Sequence, residues 1–166
     1  RREYGNGGYA IVEYDENDNM IKYSYYNEDD TLDYYELYEY DSEGNRIKYG
    51  SYKSDGRADI FEYDSNGNMI KYNNYKRDGT LYNYHTYEYD SNGYKTRENV
   101  YNSDGEFSRY YTFEYDSNDN ILKQNQYKSD GTFIFYYTYE YDSDGNKIKE
   151  NYYSADGTLE SSQTFW

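Results

Sequence analysis

The 166 residues include 33 acidic and 17 basic side chains, a net charge of −16, which argues against nucleic acid and against anionic lipid as partners. The chain has no Cys, so disulfides, zinc-thiolate sites and thiol catalysis are excluded. Scarce Leu, Ile and Val with this much charge would suggest disorder, but 31 Tyr residues supply large rings whose hydroxyls can stay at water, and an ordered chain with a thin core is expected.

Along the chain the tripeptide Glu-Tyr-Asp recurs at Tyr14, Tyr40, Tyr63, Tyr89, Tyr115 and Tyr141, with spacings of 26, 23, 26, 26 and 26 residues. A fixed period in this range marks a repeat architecture. The chain opens at Arg1 in mid-pattern and without Met, as expected for a fragment of a larger protein, and Arg1–Asp15 has no hairpin before it. A second turn signal lies 15 residues past each repeat Tyr, at Asp29, Asp55, Asp78, Asp104, Asp130 and Asp156. Gly follows this Asp in every copy but the first, which has Asp30. The short repeat loses its residues within Arg57–Phe61, because Gly56 has five residues before Glu62 where Gly79 has eight before Glu88.

The stretch from Thr80 to Gly105 shows one repeat in full. Thr80–Asp90 is rich in Tyr and Thr, Ser91-Asn92-Gly93 is a turn, Lys95–Tyr101 is a second extended run, and Ser103-Asp104-Gly105 turns again. Two strands per repeat at hairpin spacing predict an all-β, up-and-down meander. About a dozen antiparallel strands are expected in an extended twisted sheet, six repeat units of 26 residues forming a single domain over 1–166. The last strand, Leu159–Trp166, lacks its own Glu-Tyr-Asp turn, so an open edge carrying Phe165 and Trp166 is expected to permit self-association through sheet edges. No run of about 18 apolar residues is present, so no membrane insertion is expected, and no signal peptide is recognisable.

Pairing Tyr63 with Ile70 makes a loop of Ser65–Asn68 and sets Glu62 opposite Lys71. The same arithmetic sets Glu13 opposite Lys22, Glu39 opposite Lys48, Glu88 opposite Arg97, Glu114 opposite Lys123 and Glu140 opposite Lys149. Opposite charges across a strand pair contribute about 0.2–1 kcal/mol each and hold the register against a slip. Side chains alternate along a strand. One face then carries Tyr89, Tyr87 and His85, with Thr96, Leu122 and Ile148 in equivalent hairpins, and is expected to be the packed one. The other carries the Glu–Lys pairs near the first turn and Tyr26, Tyr52, Tyr75, Tyr101, Tyr127 and Tyr153 near the second.

Tyr87-Glu88-Tyr89-Asp90-Ser91-Asn92-Gly93 and Tyr139-Glu140-Tyr141-Asp142-Ser143-Asp144-Gly145 resemble the YD repeat of bacterial Rhs-type wall-associated and toxin-delivery proteins. The resemblance covers nearly the whole chain. It implies β-hairpins building a long spiralling sheet that serves as scaffold or shell and does no chemistry, in a bacterial extracellular or cell-surface setting. The repeat here is longer than the usual YD repeat, and Asn68-Met69-Ile70 or Asn146-Lys147-Ile148 stands where that family tends to have Arg-Leu. Nothing resembles the family's self-cleaving core end, so encapsulation of a toxin is not implied. The chain is also similar, more loosely, to Tyr-rich MORN-like hairpin repeats.

Two kinds of site chemistry arise from the pattern. Asp15, Asn17 and Asn19, and again Asp142, Asp144 and Asn146, place oxygen side chains at i, i+2 and i+4, as the first half of an EF-hand loop does. The twelfth position of such a loop would be a bidentate Glu, and here it is Tyr26 or Tyr153; Asp, Asn and Gly are also ordinary turn formers. The Tyr row at positions 26, 52, 75, 101, 127 and 153 could stack on a glycan or anchor a peptide or protein partner, or its rings could simply cover the sheet. Acids repeated in equivalent positions are not differentiated into an acid and a base. His85 replaces a Tyr of other repeats and reads as a packing residue. No enzyme and no cofactor are expected, and the role is structural or adhesive.

Overall fold

The computed structural model describes residues 2–5 and 7–165. The protein is an all-β meander in which strand order equals chain order. The chain divides into two compact units, Arg1–His85 and Thr86–Trp166. The first contains β1 (Arg2–Glu3), β2 (Tyr9–Tyr14), β3 (Met20–Tyr26), β4 (Leu32–Tyr40), β5 (Arg46–Lys53), β6 (Ala58–Tyr63) and β7 (Met69–Tyr75). Strand β8 (Leu81–Tyr89) runs across the division. The second contains β9 (Lys95–Asn102), β10 (Phe107–Tyr115), β11 (Ile121–Lys128), β12 (Phe133–Tyr141), β13 (Lys147–Ser154) and β14 (Leu159–Thr164). No helix occurs among the described residues, and so none is long and apolar enough to cross a membrane.

Two kinds of turn punctuate the strands, and each closes on its own side chains. In Asp64–Asn68 the Asp64 N–H donates to the Asn68 carbonyl at 2.9 Å and the Gly67 N–H to the Asp64 carbonyl at 3.0 Å. One carboxylate oxygen of Asp64 accepts the N–H groups of Asn66 and Asn68, each at 2.9 Å, and the other accepts the Asn68 side-chain amide at 3.1 Å. Gly67 takes φ +82°, which an L side chain adopts only at a cost. Asp18 and Asp119 take φ of 64° and 71° at the corresponding places, and Asp30 takes 62° at the Gly position of a second turn, since Asp tolerates this region better than most residues. The second kind of turn uses the later Asp: Asp78 accepts the Thr80 N–H at 3.0 Å and its hydroxyl at 2.6 Å.

The ion-pair register holds. Glu13, Glu39, Glu62, Glu114 and Glu140 pair across the strand with Lys22, Lys48, Lys71, Lys123 and Lys149. Their closest N–O distances are 3.2, 3.2, 3.9, 3.9 and 3.1 Å, and Arg97 lies 3.9 Å from Glu88. One detail differs from the sequence expectation. Tyr63 pairs with Met69, not Ile70, because a bulge follows Glu62. The left-handed Gly67 closes a three-residue loop, 65–67, between Asp64 and Asn68, and the extra residue Ile70 is taken up before Lys71, a combination that simple strand alternation does not reveal.

The expected packed face is corrected in part. Leu122 and Ile148, assigned to it, are exposed. No large side chain is fully buried among the described residues, and strand contacts within each unit run only between consecutive strands. Ala10 and Val100, the most buried apolar residues, do lie on the expected face, and a small, largely polar buried column runs along the face of the Glu–Lys pairs: Ser24, Gly50, Asn73, Asn99, Asn125 and Asn151. They lie midway along their strands, where neighbours on both sides shield them. The Asn99, Asn125 and Asn151 amides donate to the hydroxyls of Thr86, Thr112 and Thr138 at 3.3, 3.2 and 3.2 Å, so their burial leaves no polar group orphaned.

The repeat Tyr ties successive hairpins together. Tyr40, Tyr115 and Tyr141 donate their hydroxyls to the carbonyls of Met20, Lys95 and Ile121, each at 3.0 Å and each 20 residues back. Near the C-terminus the Phe165 N–H donates to the Ile148 carbonyl at 2.9 Å, and the Lys147 ammonium sits 4.7 Å above the Phe165 ring. Trp166, part of the expected apolar edge, lies outside the described residues.

Candidate functional site

The Tyr row at the second turns is where the sequence-predicted binding residues lie. Each row residue is half-buried, because its ring stands on the pleated sheet between side chains of the neighbouring strands. In the second compact unit the rings form an unbroken file of Tyr101, Phe107, Tyr110, Tyr127, Phe133, Tyr136 and Tyr153. Successive centroids are 5.4, 6.0, 4.7, 5.2, 6.0 and 4.6 Å apart. Such pairs contribute about 0.5–1.5 kcal/mol each beyond area burial.

The file exists because full-length strands present two residues to it. Phe133 pairs with Tyr127 on one side and Tyr136 with Tyr153 on the other. Phe107 and Tyr110 do the same between Tyr101 and Tyr127. The register shift after Phe107, and that between Gln126 and Tyr127, let residues three apart share one face.

In the first unit the row is interrupted. Tyr26 stacks on Tyr9 at 5.1 Å and Tyr52 on Tyr35 at 4.7 Å. Strand β6 belongs to the short repeat, and its pairing with β5 shows no register shift. Ala58 alone pairs with both Tyr52 and Tyr75 and takes the place of two rings. A mostly apolar notch of about 210 Å³ remains, lined by Tyr52, Gly56, Ala58, Ile60, Tyr75 and Gly79. Sequence reasoning located the missing residues but not the notch, which follows from the bulge that full repeats have and this one lacks.

The turns on either side of the notch differ from the others in charge. Lys53-Ser54-Asp55-Gly56-Arg57 and Lys76-Arg77-Asp78-Gly79-Thr80 carry Lys53, Arg57, Lys76 and Arg77 against Asp55 and Asp78. Asp55 accepts from Arg57 Nε at 2.9 Å and from Arg77 at 3.0 Å. The Arg57 side chain beside it holds the Asp55 carboxyl well below the usual carboxylate range, with the Arg57 N–H and Arg77 adding to the effect. The two turns nearly touch. A Cβ on Gly56 would lie 2.1 Å from the Arg77 carbonyl oxygen, and Gly56 has φ +92°. Both guanidinium side chains remain largely exposed, Arg57 at 64% and Arg77 at 76%.

At the first turns the calcium candidates serve the turns themselves. Asp15 accepts the N–H groups of Asn17 and Asn19 at 2.9 and 2.8 Å on one oxygen, and the Asn19 amide at 3.0 Å on the other. Asp142 accepts likewise from Asp144 and Asn146, each at 2.9 Å, and from the Asn146 amide at 3.0 Å. The Asn19 and Asn146 side chains thus present donors to these Asp residues. Among the described residues no group of three or more His, Cys, Asp or Glu could hold a metal ion. An open hollow of about 380 Å³ also lies at the first turns, lined by Tyr40, Asn45, Arg46, Tyr63, Ser65, Asn66 and Gly67, with Arg46 4.8 Å above the Tyr63 ring.

The opposite face mixes rings with carboxylates. Glu36 accepts the hydroxyls of Tyr38 and Tyr49 at 2.5 and 2.8 Å, and Asp59 that of Tyr72 at 2.6 Å. Burial, and then these hydrogen bonds, push the Tyr49 and Tyr72 phenols up to about 12. His85 lies edge-on to Tyr72 at 5.7 Å.

No family model matches the sequence, and no curated protein matches it. The fold is found in solved structures. In the crystal structure of TcdB2-TccC3-Cdc42 the match has a TM-score of 0.62 and 15% identity, covering 96% of this chain and 9% of that one. The structure of TcdB2-TccC3 without its hypervariable C-terminal region matches with the same TM-score of 0.62, 15% identity and 96% coverage, again over 9% of that chain. The likeness is one of fold, and this chain spans only a small part of the length of the chains it matches.

Proposed function

We propose that this chain is a non-catalytic structural repeat segment, a scaffold or spacer within a larger bacterial surface or secreted protein. The observation that carries this reading is that chemically similar groups lie in rows. Turn-capping Asp, Glu–Lys pairs, the Asn column and the Tyr file recur in register, and they do not converge on one differentiated centre. The resemblance to YD repeats supports it, as does the fold's occurrence as a small part of the TcdB2-TccC3 chain. Association between copies through sheet edges belongs to the same reading, and light scattering across a range of salt tests it, a strict monomer at high protein and salt counting against it.

The decisive experiment excises one repeat, residues 90–115, which rejoins Tyr89 to Asp116 and so preserves Glu-Tyr-Asp. Repeat arrays derive stability from repeats and nearest-neighbour interfaces. The shortened chain therefore folds with the same strand signature per residue and a lower melting temperature. An unfolded product refutes the spacer reading. A panel of glycan, ester and peptide substrates is expected to show no turnover, and turnover abolished by replacing a single acid overturns the non-catalytic part.

A further inference from the structure

We propose that the notch between Tyr52 and Tyr75 is a binding slot for one aromatic ring carrying an anionic substituent, a small aryl phosphate or carboxylate. This goes beyond the scaffold reading and does not depend on it.

The first support is the shape of the gap. Elsewhere along the file, the space between row residues is filled by the chain's own rings, Phe107 with Tyr110 and Phe133 with Tyr136. In the short repeat that space holds only Ala58 and remains open. The walls are two Tyr side chains and the lining is mostly apolar, with Ile60 beside Ala58. Tyr52 has one stacking partner, Tyr35, and no ring contact joins it to Tyr75 among the described residues. A cavity of about 150 Å³ accepts a benzene ring. At about 210 Å³ the notch takes a ring and a small substituent.

The second support is charge. In a chain of net charge −16, the two turns that contribute Gly56 and Gly79 to the notch carry four cations against two carboxylates. Asp55 engages one edge of Arg57 and one nitrogen of Arg77, and each guanidinium keeps further donors for an anion. A sugar ring fits less well, because the mostly apolar lining offers few partners for its hydroxyls.

The test is a titration of the whole chain with phenyl phosphate, followed by NMR shifts of the Tyr52 and Tyr75 ring protons. Phenol supplies the ring without charge, inorganic phosphate the charge without the ring, and methyl glucuronide an anionic sugar. Phenyl phosphate is expected to bind about tenfold tighter than any of the three, the ring and the two exposed ion pairs each adding a modest factor. Arg57→Thr and Arg77→Ser, which install residues found at these positions in other repeats, are each expected to weaken phenyl phosphate about threefold and leave phenol unchanged. Ala58→Tyr puts a ring into the notch and is expected to abolish binding with the circular dichroism spectrum retained. If that variant fails to fold, Tyr75→Ala serves instead, removing one wall and lowering affinity at least tenfold. Equal binding of phenyl phosphate and inorganic phosphate, tighter binding of the glucuronide, or undiminished binding by the variants overturns the proposal. So does at least tenfold tighter binding of a peptide that bears phosphotyrosine and no other charged side chain, which would reassign the slot to a protein partner. None of these results bears on the repeat excision that tests the scaffold reading.

Discussion

Replacing Asn125 by Ala tests whether the polar column stabilises the sheet. Asn125 is 5% exposed, pairs with Thr112 on one side and Tyr136 on the other, and donates to the Thr112 hydroxyl at 3.2 Å. Losing a neutral hydrogen bond of this kind costs about 0.5–1.5 kcal/mol net, and the half-buried Thr112 hydroxyl can recover part of its bonding from water. A loss of about 1–1.5 kcal/mol is expected, which for a chain of this length corresponds to a fall in melting temperature of about 2–6 °C. Thr112→Val keeps the shape and removes the acceptor, leaving the buried amide without its partner at a cost of about 1–3 kcal/mol. The double variant should fall short of the summed losses by about 1 kcal/mol, because both singles break the same bond. Asn73 supplies the control, since it faces Ile60 across the strand, and Asn73→Ala should cost less. Denaturant unfolding followed by circular dichroism measures all four variants. Strict additivity of Asn125 and Thr112, or an equal cost at Asn73, would show that the column is filler and refute the reasoning.

Reversing Glu140 to Lys should destabilise by about 0.2–1 kcal/mol, and adding Lys149→Glu should restore most of the loss, because the pair is cross-strand and half exposed; thermal melts of both variants beside the parent chain check it. Gly67→Ala should cost about 1–2 kcal/mol, because φ is +82° and no atom crowds the new Cβ, whereas Gly67→Asp should cost less, as Asp18 and Asp119 already hold that conformation; denaturant midpoints distinguish them. The Tyr49, Tyr72 and Tyr139 phenols are pushed up to about 12 by burial first and then by Glu36, Asp59 and Glu150. The folded state therefore holds these protons more tightly than the unfolded chain, whose Tyr titrates near 10. Their stabilisation is fully present below about pH 10 and is lost as pH rises through about 12. Tyrosinate absorbance and circular dichroism should change together in that window, and a tyrosinate transition complete by pH 10 in a folded chain would contradict the burial.

Much of this protein could be read from its residues because its pairing is local. Each strand meets the next across a turn of a few residues, so the period of Glu-Tyr-Asp, the two turns per repeat and the match of Glu114 to Lys123 all follow from counting. The Asn column was open to the same counting, since Ser24, Gly50, Asn73, Asn99, Asn125 and Asn151 each lie 10 residues past a repeat Tyr. Asn by itself usually signals a turn, and only the shielding by strands on both sides identifies these residues as buried.

Three features were decided by the tertiary structure alone. A three-residue loop closed by left-handed Gly67 and a bulge at Ile70 set the pairing together, so Tyr63 meets Met69 where plain alternation would give Ile70. Which residues are shielded depends on the side chains of the strands on either side, which strand period cannot specify, and Leu122 and Ile148 stay at the surface. The notch at Ala58 depends on a bulge that is missing from one pairing and present in its counterparts. Sequence determines register wherever charge and alternation repeat. Backbone geometry across three successive strands determines where rings meet and where one is missing, because stacking is a contact between strands whose spacing no single hairpin sets.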